Sequence, residues 1–279
     1  MAFSFDLLTG SDSAAVMGIL NLSPDSFYSG SYCSNAEEVF RTAEQMIKEG
    51  AHILDLGAES TRPGSKEVSI QLQLDRLLPV VSKLTNEFEI PISVDTYKPE
   101  IGSAVLQEGA TVINDVSGLQ WGDEMALIIA RYEAGLVLMH MQGKPETMQE
   151  NPTYKDVVAE VLSFLRQSVK TAEMAGIRPE SIAVDPGIGF GKTLKHNLEL
   201  IAKLDQLKVL NKHILLGVSR KSFIGQILKL EVEDRLEGSL AAGVAGVING
   251  ANILRVHDVA ATVRAIRVAE YIKEANNPK

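Results

Sequence analysis

The chain has 279 residues, with 27 Lys+Arg against 36 Asp+Glu and a formal net charge of -9. Hydrophobic residues make up 45% and charged residues 23%, an ordinary globular balance that excludes whole-chain disorder, collagen and coiled coil. A single cysteine, Cys33, excludes an intramolecular disulfide and a cysteine-based metal cluster, and it fits a reducing, cytoplasmic setting. The acidic balance argues against general nucleic-acid or anionic-membrane binding, but a few local cations still suffice for an anionic substrate. No apolar run approaches the ~20 residues of a membrane span, and the first residues, MAFSFDLLTGSD, lack the basic and apolar regions of a signal peptide.

One unit recurs along the chain: a short apolar run, a polar or Gly-containing loop, then an amphipathic stretch. The runs are Val16–Leu22, Ile53–Gly57, Ile92–Asp95, Val112–Asp115, Leu136–Met141, Ile182–Asp185, Ile214–Val218 and Ile253–Val256. Each is short and too apolar for a half-solvated strand, which suits parallel strands buried on both faces. Between them, Ala36–Glu49, Tyr154–Ala175 and Ala260–Ala275 carry apolar residues at helical spacing, and Gly50 and Gly176 follow the first two as stop signals. Eight strands, each followed by a helical stretch, predict a (β/α)8 TIM barrel in one domain spanning residues 1–279. A doubly wound open sheet is the alternative, and the even repetition favours closure.

Polar residues collect at or just beyond the C-terminal ends of the runs: Asn21, Asp55, Asp95, Asn114, His140, Asp185, Ser219 and His257. In this fold the active site lies at that face. One such residue is readily a helix cap; eight in a row are harder to explain that way. Asp95, Asn114 and Asp185 have two open readings. They either pair with nearby Arg or Lys, or bind a heterocycle that offers amidine-like N–H groups. Gly187–Thr193 (GIGFGKT) fails as a phosphate loop because Pro186 stands where the first glycine belongs. It fails as a dinucleotide fingerprint because Lys192 occupies the third glycine position. It reads as a flexible strand-to-helix loop. Cations cluster late: Ser219-Arg220-Lys221-Ser222 follows the seventh run and Arg255-Val256-His257-Asp258 ends the eighth, where such barrels bind phosphate. A Schiff-base role for Lys221 stays open on these residues alone. The Gly/Ser-rich stretches 23–30 and 57–65 read as mobile lids. The five histidines show no paired ligand spacing, but a Mg2+ held mainly by substrate phosphate needs only one protein ligand.

The segments MGILNLSPDSF, DLGAESTRPG, ISVDTYKPE, INDVSG, LMHMQGKPETMQ, DPGIGFGKT, GVSRKSFIG and RVHDV, in that order, resemble bacterial dihydropteroate synthases across nearly the whole chain. The resemblance implies a (β/α)8 barrel that joins (7,8-dihydropterin-6-yl)methyl diphosphate to p-aminobenzoate with Mg2+, releasing pyrophosphate. It further implies a sulfonamide target and a homodimer. By the same resemblance Asp95, Asn114 and Asp185 bind the pterin edge, Met139 lines its pocket, and Lys221 hydrogen-bonds the pterin, which removes the Schiff-base reading. Arg255 stacks on the ring and reaches the diphosphate. Asn21, Thr61 and His257 contact diphosphate or metal, with Asn21 the metal ligand. Arg62, Phe190, Gly217 and Val256 complete the pterin diphosphate set. Phe27, Arg62, Pro63, Lys221 and Ser222 form the p-aminobenzoate site. Lys221, Arg255, His257 and Asn21 are the implied catalytic group.

The chain departs from the family in the first lid. Tyr28-Ser29-Gly30-Ser31 stands where a Ser-Asp-Gly-Gly context is usual, so the lid lacks its customary aspartate. The rival readings are a pterin-binding methyltransferase barrel and a non-catalytic pterin-binding module. The two lids and Ser219–Ser222 discriminate against the first.

Overall fold

The computed structural model describes residues 2–8, 13–22, 36–60, 67–144 and 146–276. Among these, eight parallel strands close into a barrel in the order β1 to β8. They are β1 (Ala15–Asn21), β2 (Ile53–Gly57), β3 (Ile92–Asp95), β4 (Val112–Asp115), β5 (Gly135–Met139), β6 (Ile182–Asp185), β7 (His213–Leu216) and β8 (Ile253–Val256). The ring is completed by β8 against β1, with Met17 in register with Arg255.

The helices outside the ring are α1 (Ala36–Lys48), α2 (Ile70–Glu87), α3 (Pro99–Gln107), α4 (Glu124–Arg131), α5 (Val157–Met174), α6 (Leu194–Ala202), α7 (Ser222–Leu228), α8 (Leu236–Ile248) and α9 (Val259–Asn276). Their starts follow local chemistry. Asp156 accepts from the N–H groups of Val158 and Ala159 at the head of α5, and Thr193 and His196 form a reciprocal capping box on α6. The simple alternation of one helix per strand fails once. Two helices, α7 and α8, separate β7 from β8.

Because side chains alternate across a strand, each strand serves two cores. Leu54, Val94, Ile113, Leu136, Leu138, Val184, Leu216 and Leu254 pack outward against the helices in one large cluster. Met17, Ile53, Val112, Val137, Ala183, Leu215 and Ile253 face inward and fill the floor of the barrel. Phe5, in an N-terminal 3-10 turn at Phe5–Leu7, closes that floor from below. The floor residues leave the next inward position on each strand, two residues on, at the C-terminal mouth.

Candidate active site

Counting two residues up from the floor places Asp55 above Ile53, Asn114 above Val112, Met139 above Val137, Asp185 above Ala183, Gly217 above Leu215 and Arg255 above Ile253. On β3 the same phase gives Ser93 and then Asp95, which pairs with Asn114 in strand register. The barrel thus brings together at one mouth the residues expected to bind a pterin edge. Val256 falls on the other phase and packs in the outer core with the helices.

The centre of the mouth is an ionic lattice. Arg255 Nε donates to Asp55 Oδ2 at 2.6 Å, and Arg255 Nη2 donates to Asp95 Oδ2 at 3.3 Å. Asp55 is fully buried and also accepts from Ser93 Oγ at 2.6 Å and Asn114 Nδ2 at 3.3 Å. Burial opposes the charge on Arg255, but Asp55 and Asp95 together hold its pKa above the usual guanidinium value. The pairing of a carboxylate with a nearby arginine is observed for Asp95. Asp95 pairs with arginine through one oxygen, while its buried Oδ1 has no hydrogen-bond partner among the described residues. Burial pushes Asp95 up to about 7, against the pull of Arg255. A buried acceptor without a donor is costly in a folded protein and points to a ligand that supplies one.

Asp55 is the functional residue that the sequence reading undervalued, noting it only as one of eight strand-end polar groups. Its signal was the inward phase it shares with Ile53. It orients Arg255 across 200 positions of sequence.

Asp185 Oδ1 accepts from the Gly187 N–H at 2.7 Å. Burial raises its pKa, and Lys221 offsets part of that rise. Lys221 Nζ donates to the Ile188 carbonyl and lies 4.9 Å from the Phe190 ring centre. Burial lowers its pKa to about 8, with Asp185 opposing the fall. A Cβ on Gly217 would lie 3.6 Å from Lys221 Nζ and 3.9 Å from Arg255 Cβ, so a larger residue would fill the space between the two cations. Met139 and Phe190 share an apolar patch with Val116, Met141, Met148 and Tyr97, a wall suited to a flat ring.

The loop after β6 was expected to be flexible, and it is instead tied at nearly every residue. Asn197 Oδ1 accepts from the Gly189 N–H at 2.8 Å, Gln149 donates to the Gly189 carbonyl, Lys192 Nζ donates to the Phe190 carbonyl at 2.9 Å, and Tyr154 donates to the Gly191 carbonyl at 2.8 Å. The glycines serve close approach rather than looseness. Gly187 has φ +69, and a Cβ there would sit 1.9 Å from the His140 carbonyl oxygen.

The cations after β7 divide. Arg220 is buried at φ +56 and turns to Asp258, with Nε and Nη2 each 2.8 Å from a carboxylate oxygen. Its Nη1 donates to the Val232 and Glu233 carbonyls at 2.8 Å. This guanidinium fastens the β7 and β8 loops together and is spent on the protein itself. His257 Nδ1 lies 3.0 Å from Ser219 Oγ, across the ends of the same two strands. Ser222 is the exposed first residue of α7. Phe27, Ser29, Thr61, Arg62 and Pro63, and with them most of both lids, lie outside the described residues.

Among the described residues no group of three His, Cys, Asp or Glu is placed to hold a metal ion. Asn21 ends β1 in register with Gly57. A Cβ on Gly57 would come 3.7 Å from Asn21 Oδ1, which places that amide oxygen beside the C-terminal end of β2. One neutral oxygen donor fits a hard cation that keeps most of its ligands as water and phosphate.

A (β/α)8 barrel with paired carboxylates, an asparagine and two cations converging at its mouth is built to hold a polar heterocycle. In agreement, residues 17–257 match the family of pterin binding enzymes. Dihydropteroate synthase of Escherichia coli strain K12 is 47% identical over 266 residues, covering 95% of this chain and 93% of its own. A Yersinia pestis dihydropteroate synthase, solved with a sulfonamide drug, superposes with TM-score 0.92 at 39% identity, over 99% of this chain and 100% of its own. That of Burkholderia cenocepacia, complexed with 7,8-dihydropteroate, gives TM-score 0.86 at 38% identity, over 96% and 95%. The chain belongs to the pterin binding enzymes and, within them, to the dihydropteroate synthases. No helix among the described residues is long and apolar enough to cross a membrane.

Proposed function

We propose that this chain joins (7,8-dihydropterin-6-yl)methyl diphosphate to p-aminobenzoate, forming 7,8-dihydropteroate and pyrophosphate, with the mouth residues in the following roles. The observation that carries the assignment is Asp95 Oδ1, a buried acceptor without a donor among the described residues, beside Asn114 in the ring of inward strand-end groups that also holds Asp185. The 2-amino-pyrimidinone edge of a pterin supplies N–H donors for the two carboxylates, and the asparagine amide matches a mixed donor and acceptor edge. Met139 and Phe190 flank the ring, and Lys221 hydrogen-bonds it.

Arg255, held by Asp55, lies against the ring and extends toward the diphosphate with His257 and Thr61. In the reaction the methylene C–O bond breaks and its electron pair leaves with diphosphate. The methylene cation is stabilised by conjugation with the pterin ring. The arylamine nitrogen of p-aminobenzoate, held by Phe27, Arg62, Pro63 and Ser222, then forms the new C–N bond and loses a proton. An arylamine of this kind needs no strong protein base once the cation has formed. Arg255 and His257 favour departure by stabilising charge that grows on the diphosphate. Asn21 would hold Mg2+ through its amide oxygen, and the ion would supply charge neutralisation at the diphosphate.

The single cysteine supports a cytoplasmic setting. Val268, Tyr271 and Ile272 are more than 60% exposed on one face of α9, which supports a homodimer, to be checked by sedimentation equilibrium. The catalytic assignment is tested by pyrophosphate release. Release should require both the pterin diphosphate and p-aminobenzoate, and it should fall at least tenfold in Asp95→Asn. Release that is independent of p-aminobenzoate would overturn the reading.

A further inference from the structure

Lys192 is 3% exposed and sits behind the pterin pocket, outside the set of groups assigned to substrate. Its Nζ has three neighbours: His140 Nδ1 at 2.9 Å, the His140 carbonyl at 3.3 Å and the Phe190 carbonyl at 2.9 Å. An ammonium has three N–H donors, and these are three acceptors, provided that His140 Nδ1 carries a lone pair. Burial, with Lys192 adding to it, lowers the His140 pKa to about 2, so the ring is neutral. The ring itself is fixed edge-on to Phe164 at 4.9 Å.

These three bonds join two strand ends. His140 follows β5, and its N–H donates to the Asp185 carbonyl at 3.0 Å. Phe190 belongs to the loop after β6, which also carries the Ile188 carbonyl that receives Lys221. Burial pushes the Lys192 amine well below its usual pKa, and the charge that opposes this is Asp185. Lys192 in turn favours ionised Asp185, after Lys221 and the Gly187 N–H. The same side chain therefore ties the end of β5 to the loop after β6, and in its protonated form it favours ionised Asp185.

We propose that Lys192 is a positioning residue of the pterin pocket, acting through the Phe190 carbonyl and the loop that receives Lys221, with His140 as its side-chain hydrogen-bond partner. The proposal rests on the reading of this mouth as a pterin site. Without the amine, the His140 and Phe190 carbonyls lose their donor, and the Phe190 ring and the Lys221 anchor shift. The loss falls on the pterin half of the site and spares p-aminobenzoate.

The test compares Lys192→Met, which keeps length and removes the donors, with His140→Asn and His140→Leu. Asn places an acceptor near the position of Nδ1; Leu does not. Thermal melts establish folding. Steady-state kinetics give KM for each substrate and kcat, and calorimetry measures binding of a dihydropterin without the diphosphate arm. Lys192→Met and His140→Leu should each raise the pterin diphosphate KM and weaken dihydropterin binding about tenfold or more, with the p-aminobenzoate KM within about twofold. His140→Asn should stay within about threefold of the parent. Should Lys192→Met not fold, the two His140 variants decide. A folded Lys192→Met with parental pterin binding overturns the proposal, as do His140→Asn and His140→Leu that behave alike. Failure of the unmodified enzyme to bind dihydropterin would instead strike the pterin reading itself.

Discussion

Asp55 offers the most direct test of the lattice under the pterin pocket, through two substitutions of graded severity. In Asp55→Asn the amide nitrogen takes the Oδ1 position, where Ser93 Oγ, now 2.6 Å away, can reverse its hydroxyl and accept. The amide oxygen then still accepts from Arg255 Nε and Asn114 Nδ2. What is lost is charge. A hydrogen bond to a charged group contributes ~1.5–3 kcal/mol against ~0.5–1.5 for a neutral one, so the loss is about 1–2 kcal/mol. In Asp55→Leu every bond to Asp55 is lost and, among the described residues, the guanidinium keeps the 3.3 Å contact with Asp95. Breaking a buried pair by removing one partner costs about 3–5 kcal/mol. For a chain of this size each kcal/mol lowers the melting temperature by roughly 2–4 °C, which gives a fall of roughly 2–8 °C for Asn and roughly 6–20 °C for Leu. Thermal scanning measures this. In both variants Arg255 swings toward Asp95 and its orphan Oδ1, so the pterin diphosphate KM rises in the same order. An Asp55→Leu protein with the parental melting temperature and pterin KM would refute the lattice as the support of Arg255.

Asp95 makes stability and binding respond oppositely to pH. Its folded value, about 7, lies above the ordinary 3.8, so its contribution to stability is complete below about pH 4 and is lost as pH rises through 7. Pterin N–H donors favour the carboxylate, so binding at pH 6.5 releases a proton; a binding enthalpy independent of buffer ionisation would show that it does not. Asp185→Asn should weaken pterin diphosphate binding at least tenfold by calorimetry, since a charge-assisted bond of ~1.5–3 kcal/mol is replaced by a facing donor; unchanged affinity in a folded variant removes Asp185 from the pterin edge. Gly187→Ala should cost far more than Gly122→Ala in melting temperature and pterin affinity. Both glycines have positive φ, but the new methyl meets a backbone oxygen at 1.9 Å in the first and nothing within 4 Å in the second, so equal losses would discount the steric argument.

Apolar runs and turn residues were enough to read the barrel. Ile53–Gly57, Ile92–Asp95, Val112–Asp115, Ile182–Asp185 and Ile253–Val256 are strands at the expected bounds, because burial on both faces of a parallel sheet leaves a local signature in composition. The expected runs ending at Met141 and Val218 overran the strands, which stop at Met139 and Leu216. Met141 and Val218 are still apolar because they pack in the mouth patch and the outer core after the ladder ends. The second helix between β7 and β8 left no such trace. Polar residues at the strand ends, and through the family resemblance the chain's place among the pterin binding enzymes, were also legible in the sequence.

The division of labour among those polar groups was not legible. Arg220 and Arg255 look equivalent in sequence, each an arginine beside a barrel loop. Closure of the barrel gives Arg255 to Asp55 and Asp95 in the mouth and turns Arg220 to Asp258 behind it. Lys192 reads in the sequence only as the residue that spoils a glycine motif, yet its buried amine is shared by two strand ends. Composition and spacing determine secondary structure because they act through the local backbone. Partners are chosen in space, by a ring that sets Asp55 beside a residue 200 positions away, and by the low polarity of the interior, which makes each buried charge depend on where its counter-charge falls.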